Sequence, residues 1–180
     1  MKNRKENASS ADDRRAQLRS ELAQKIDSLM GSREKWVTDL PGLMLVRRTT
    51  VAAPACGTYE PSIAVIAQGR KRVELGNKTF IYDESKYLLT SVDLPIVSQI
   101  LDASEERPFL ALSLALEMPV VRELLSREDV QAVRPSSDHP AMATGQTSAQ
   151  LLSACHPMVP SQPGIGRRHE FTYKQDEAEV

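Results

Sequence analysis

The chain has 180 residues, a mass of 20.0 kDa and 41% hydrophobic residues, enough for one domain with its own core. Its 23 Lys+Arg against 24 Asp+Glu leave a net charge of −1, which excludes a chain built mainly to hold nucleic-acid phosphates. Cys56 and Cys155 form neither a C-x-x-C pair nor a disulfide framework, and no apolar run reaches membrane-spanning length or export-signal form, so a soluble cytoplasmic protein is expected.

In chain order, the spacing of Leu18, Leu22, Ile26 and Leu29 predicts an amphipathic helix from about Asp12 to Met30. Ser9 or Ser10 would cap it and Gly31 would end it. After Leu40-Pro41-Gly42 the period changes to that of strands. Leu43–Arg48 and Ser62–Ala67 are predicted strands. Lys71–Leu75 and Lys78–Tyr82 flank Gly76-Asn77 as a hairpin, with Val73/Leu75 and Phe80/Tyr82 alternating. Tyr87–Thr90, Ile96–Leu101 and Phe109–Leu116 follow. Such short strands with tight turns argue a mainly β fold, a sandwich or barrel. Pro119 suits the first turn of a helix over Val120–Ser126, whose Val121, Leu124 and Leu125 are expected on the sheet. A further helix begins within Gly145–Ala154, and Cys155–Val180, rich in Pro and Gly, is expected to be irregular or disordered. The reading divides the chain into residues 1–39 (helical), 40–117 (β-barrel), 118–154 (helical) and 155–180 (irregular tail).

A metal-binding barrel needs imidazoles converging on one ion, yet the three histidines, His139, His156 and His169, all follow the barrel segment. No metal and no cofactor are therefore expected. A cysteine nucleophile needs a base beside it, and none accompanies Cys56, which reads as a packing residue. The pairs Asp83-Glu84 and Glu105-Glu106 fall in turns and point apart. Gln68-Gly69-Arg70-Lys71-Arg72 lacks the glycine spacing of a phosphate loop and reads as a solvated hairpin edge. No catalytic residue emerges.

The motifs Leu40-Pro41-Gly42-Leu43, Tyr59-Glu60-Pro61-Ser62 and Ala67-Gln68-Gly69-Arg70-Lys71-Arg72-Val73 occur in that order. Tyr87-Leu88-Leu89, Ser91-Val92-Asp93-Leu94-Pro95 and Ala103-Ser104-x-x-Arg107-Pro108 follow them. This series resembles the N-terminal domain of AraC-type transcriptional regulators, over roughly Leu18 to Leu152. The resemblance implies a cupin-like β-barrel that senses a small-molecule effector or mediates dimerisation. Tyr59, Gln68, Tyr87 and Asp93 lie within its motifs as candidate ligand contacts, or else close turns and satisfy buried backbone. Full-length members continue into two helix-turn-helix units, which cannot be drawn in Cys155–Val180. The expectation is thus a truncated sensor without DNA-binding residues of its own. Two alternatives accompany it: a partner that interferes with a full-length regulator by heterodimerising, and a metal-free cupin-fold enzyme.

Overall fold

The computed structural model of the protein describes residues 2–127 and 141–162, with side chains from residue 11 onward. Helix α1 (Lys2–Met30) opens the chain. It begins ten residues before the expected start, so Ser9 and Ser10 lie within it instead of capping it. Gly31, at φ +53°, ends it as expected, its N–H donating to the Asp27 carbonyl at 3.0 Å.

Ten strands follow in two antiparallel sheets. The first has six strands in the order β1 (Lys35–Val37), β2 (Leu43–Arg48), β9 (Phe109–Ala115), β4 (Ser62–Gln68), β7 (Lys86–Thr90) and β10 (Met142–Gln146). The second has four, in the order β3 (Ala55–Tyr59), β8 (Leu94–Asp102), β5 (Arg70–Leu75) and β6 (Lys78–Asp83). The architecture is a two-sheet antiparallel β-sandwich, mainly β, one of the two forms that the strand pattern predicts. The hairpin β5–β6 pairs Leu75 with Lys78 around Gly76-Asn77, and Gly76 takes φ +57°.

Two tight turns are among the connections that carry the chain between the sheets. Glu60-Pro61 leads from β3 to β4, and Gly69 alone leads from β4 to β5. Gly69 sits at φ +97°, and a Cβ there would lie 2.8 Å from the Asp102 carbonyl oxygen. Only glycine permits so close a backbone approach in that conformation.

Strand alternation assigns each face of the six-stranded sheet a different neighbour. Leu43 and Leu45, Val65 and Ala67, and Leu110 and Leu112 face outward and meet Leu22, Ile26, Leu29 and Met30 of α1. Helix α3 (Ala149–Met158) completes this layer with Leu152 and Cys155, and Val159 follows it into the same core. The expected helical stripe on α1 is the buried one. On the inner face, Ile66, Leu88, Phe109 and Met142 pack against Tyr59, Val73, Tyr82 and Ile96 of the second sheet.

Several expectations change. Residues 142–146 form strand β10 within a stretch read as helical, pairing with β7 from Met142↔Thr90 to Gln146↔Lys86. The Tyr87 ring lies over Gly145, where a Cβ would fall 2.3 Å from it, so a larger residue there would have to displace the ring. The stretch expected to be irregular from Cys155 begins as helix and packed core: Cys155 and Val159 are buried, and the remainder, from residue 163, lies outside the described residues. Helix α2 (Met118–Leu125) exists but buries no residue, with Leu124 and Leu125 exposed instead of resting on the sheet. The outer face of the six-stranded sheet is already occupied by α1 and α3.

Candidate functional site

The inner faces of the two sheets do not close completely. The reason is legible in side-chain volume: along β9 the inward positions are Phe109, Ala111, Ser113 and Ala115, while the outward ones are leucines. Along β4 the inward positions are Ser62, Ala64 and Ile66. Small residues facing each other across adjacent strands leave a cavity of about 100 Å³ between the sheets. Thr90 of β7, Gly42, and Met44 and Val46 of β2 complete one wall.

The opposite wall is polar. It includes Thr58 and Tyr59 of β3, Glu60 after it, Lys71 of β5 and Tyr82 of β6. Lys71 and Tyr82 are directly paired across β5 and β6. The Lys71 ammonium lies 5.3 Å from the centre of the Tyr59 ring, within cation–π range. Tyr82 is buried and hydrogen-bonded to the Tyr59 side chain. Its hydroxyl titrates well above the ordinary tyrosine range, first because burial disfavours the phenolate and then because Tyr59 stands beside it. Across the cavity, Thr90 is 1% exposed, and its Oγ1 has no hydrogen-bond partner among the described residues.

Of the four sequence candidates, the structure places Tyr59 alone on this cavity. Gln68 ends β4 and donates from Nε2 to the Pro108 carbonyl at 2.7 Å, lining a polar groove beneath α1. Tyr87 packs against the helix-side core, on the other face of the sheet. Asp93 is exposed in the turn before β8. Lys71, Tyr82 and Thr90 were missed. Lys71 was read in a solvated edge, but β5 runs between β8 and β6, and Lys71 shares the inward phase of Val73 and Leu75. That phase was the available signal.

Elsewhere, charged residues serve packing. Glu84 accepts from the Gly69 N–H at 3.1 Å and from Arg107 at 2.6 Å, and lies 3.8 Å from Arg19 of α1. His156 holds α3 to α1: its Nε2 lies 2.8 Å from the Leu18 carbonyl, and Lys25 donates to its own carbonyl at 2.8 Å. His139 and His169 lie outside the described residues. Cys56 is exposed on β3, not a packing residue as expected. Among the described residues no group of His, Cys, Asp and Glu could hold a metal ion, and no helix is long and apolar enough to cross a membrane.

Comparison with known proteins matches the family described as the AraC-type transcriptional regulator N-terminus over residues 39–160, a stretch that includes all ten strands but β1. A crystal structure of apo ToxT from Vibrio cholerae is similar at 9% identity and a TM-score of 0.45, covering 75% of this chain and 51% of ToxT. The chain thus spans about half the length of that protein. No curated protein matches. With the family's matched region running through both sheets and α3, the chain belongs to the AraC-type transcriptional regulator N-terminus family, a family of regulators and not of enzymes.

Proposed function

We propose that the chain is an effector-sensing and dimerisation domain of an AraC-type regulator, and that the cavity between the two sheets is where the effector binds. The observation that carries this reading is the inward row of small residues on β4 and β9 facing the Tyr59–Lys71–Tyr82 wall. A sandwich selected for stability alone would fill that space, since each missing methylene costs roughly 1 kcal/mol. A concave, mainly apolar pocket with a few convergent polar groups is the usual form of a small-molecule site.

The same wall can report occupancy. A ligand lying between the sheets contacts β2, β4, β7 and β9 on one side and β3, β5 and β6 on the other. Tightening one against the other alters the turns at Glu60-Pro61 and Gly69, where the chain passes between sheets. Self-association is assigned to α2, whose Val120, Leu124 and Leu125 are exposed on a short helix that buries nothing.

Thermal-shift screening of a metabolite library against the wild type and Ser113→Leu tests the site. Ser113 faces the cavity, so leucine fills it: the variant is expected to keep or raise its Tm by filling space, and to lose every ligand-induced shift seen in the wild type. Ligand shifts that persist unchanged in Ser113→Leu would place binding elsewhere and overturn the reading.

A further inference from the structure

Lys71 is an anomaly of its strand. It occupies the inward phase with Val73 and Leu75, where an apolar residue would be expected. Four arginines of the sandwich have carboxylate partners: Arg47 with Asp27 at 2.7 Å, Arg48 with Glu34, Arg72 with Glu74 at 3.2 Å, and Arg107 with Glu84 and Asp102. Lys71 has none among the described residues. Glu60, also on the cavity, is exposed and makes no ion pair with it, and the contact Lys71 makes is with the Tyr59 ring. Facing it from the other sheet is the Thr90 hydroxyl, buried and without a partner among the described residues. Valine would fit the same space without leaving a polar atom unsatisfied, so the fold does not need that hydroxyl.

A cation without a carboxylate and a buried hydroxyl without an acceptor are complementary to one kind of group, an anionic oxygen. Much of the remaining lining is apolar, including Ala64, Leu88, Phe109 and Ala111, which suits the apolar body of a ligand. A cavity of about 100 Å³ limits the enclosed part to something on the order of one six-membered ring.

Resting on the cavity being the effector site, we infer that it takes a compact monocarboxylate whose apolar body lies between the sheets. Lys71 meets the charge, and the Thr90 hydroxyl donates to a ligand oxygen. Charge-assisted hydrogen bonds are roughly twice as strong as neutral ones, so the carboxylate is favoured over its neutral isostere.

The test is calorimetric titration of benzoate and of benzamide, equal in shape and differing in charge, into the wild type, Lys71→Met and Thr90→Val. The wild type is expected to bind benzoate about tenfold more tightly than benzamide. Lys71→Met removes that preference while leaving benzamide affinity within about twofold, and Thr90→Val weakens both ligands by about threefold, because both present a carbonyl-type oxygen. Thr90→Val is near-isosteric and loses only the hydroxyl, so it separates a lost contact from a lost fold. Equal affinity for the two ligands, a benzoate preference that survives Lys71→Met, or no benzoate binding at all would overturn the carboxylate assignment. The site itself is judged separately by whether library ligands lose their shifts in Ser113→Leu.

Discussion

Tyr59, Gln68, Tyr87 and Asp93 entered as candidates because they belong to recognisable motifs, and their fates show what such motifs encode. Gln68 caps the approach to Pro108, and the Tyr87 ring lies over Gly145, so both act on the fold. Tyr59 faces the cavity, and the residues that accompany it there, Lys71, Tyr82 and Thr90, are united by strand phase and not by sequence proximity. Phase was legible for Val73 and Leu75. Extending it two residues back reaches Lys71, where the basic neighbours Arg70 and Arg72 suggested solvent instead. Cys155 illustrates burial at the same scale. Its surroundings push the thiol from the ordinary 9.0 up to about 11, because the thiolate is costly away from water. The folded state therefore keeps a proton that the unfolded chain loses, and this contribution to stability is complete below pH 9 and declines between pH 9 and about 11. Denaturant titrations at pH 7, 9 and 10.5 are expected to show that decline, shallower in Cys155→Ala and unchanged in Cys56→Ala, whose thiol is exposed. An identical slope in Cys155→Ala would contradict the assignment.

At the scale of elements, the strands with clear alternation were legible to within a residue or two, and those missed lie at sheet edges. β1 has three residues, β3 reads Ala-Cys-Gly-Thr-Tyr, and β10 reads Met-Ala-Thr-Gly-Gln. Each is held by one neighbour, so its extended form comes from backbone pairing that side-chain pattern does not reveal. Helix α3 was cut short because Pro157 reads as a breaker. It stands in the last turn, where it removes little of the hydrogen bonding, and burial of Leu152, Cys155 and Val159 against α1 offsets that loss. The opposite error befell α2, whose apolar face invited packing on a sheet already covered. Since Leu124 is 47% exposed, Leu124→Glu is expected to leave Tm within about 1 °C, as surface changes do, while converting dimer to monomer in light scattering. A wild type that is monomeric at high micromolar concentration would remove α2 from the account.

For the whole molecule, three layers divide the labour. α1 and α3 on the outer face of the six-stranded sheet supply a dense apolar core, with Leu22, Ile26 and Leu152 fully buried. The inner layer, lined by alanine, serine and threonine, is left partly unfilled. Charge balance and the positions of the histidines argued against a chain built mainly to hold nucleic-acid phosphates and against a His-based barrel metal site, but a cavity is a property of two sheets facing each other, and no single strand discloses it. The competing location for a ligand is the polar groove beneath α1, lined by Arg19, Gln68, Glu84 and Arg107, whose charges are engaged with one another. Amide chemical-shift mapping of the full chain, titrated with the strongest hit from the thermal-shift screen, separates the two. The account predicts shifts concentrated at Ala64, Lys71, Thr90 and Ala111, between the sheets. Shifts concentrated at Arg19, Glu84 and Arg107, with Lys71 and Thr90 unmoved, would contradict it.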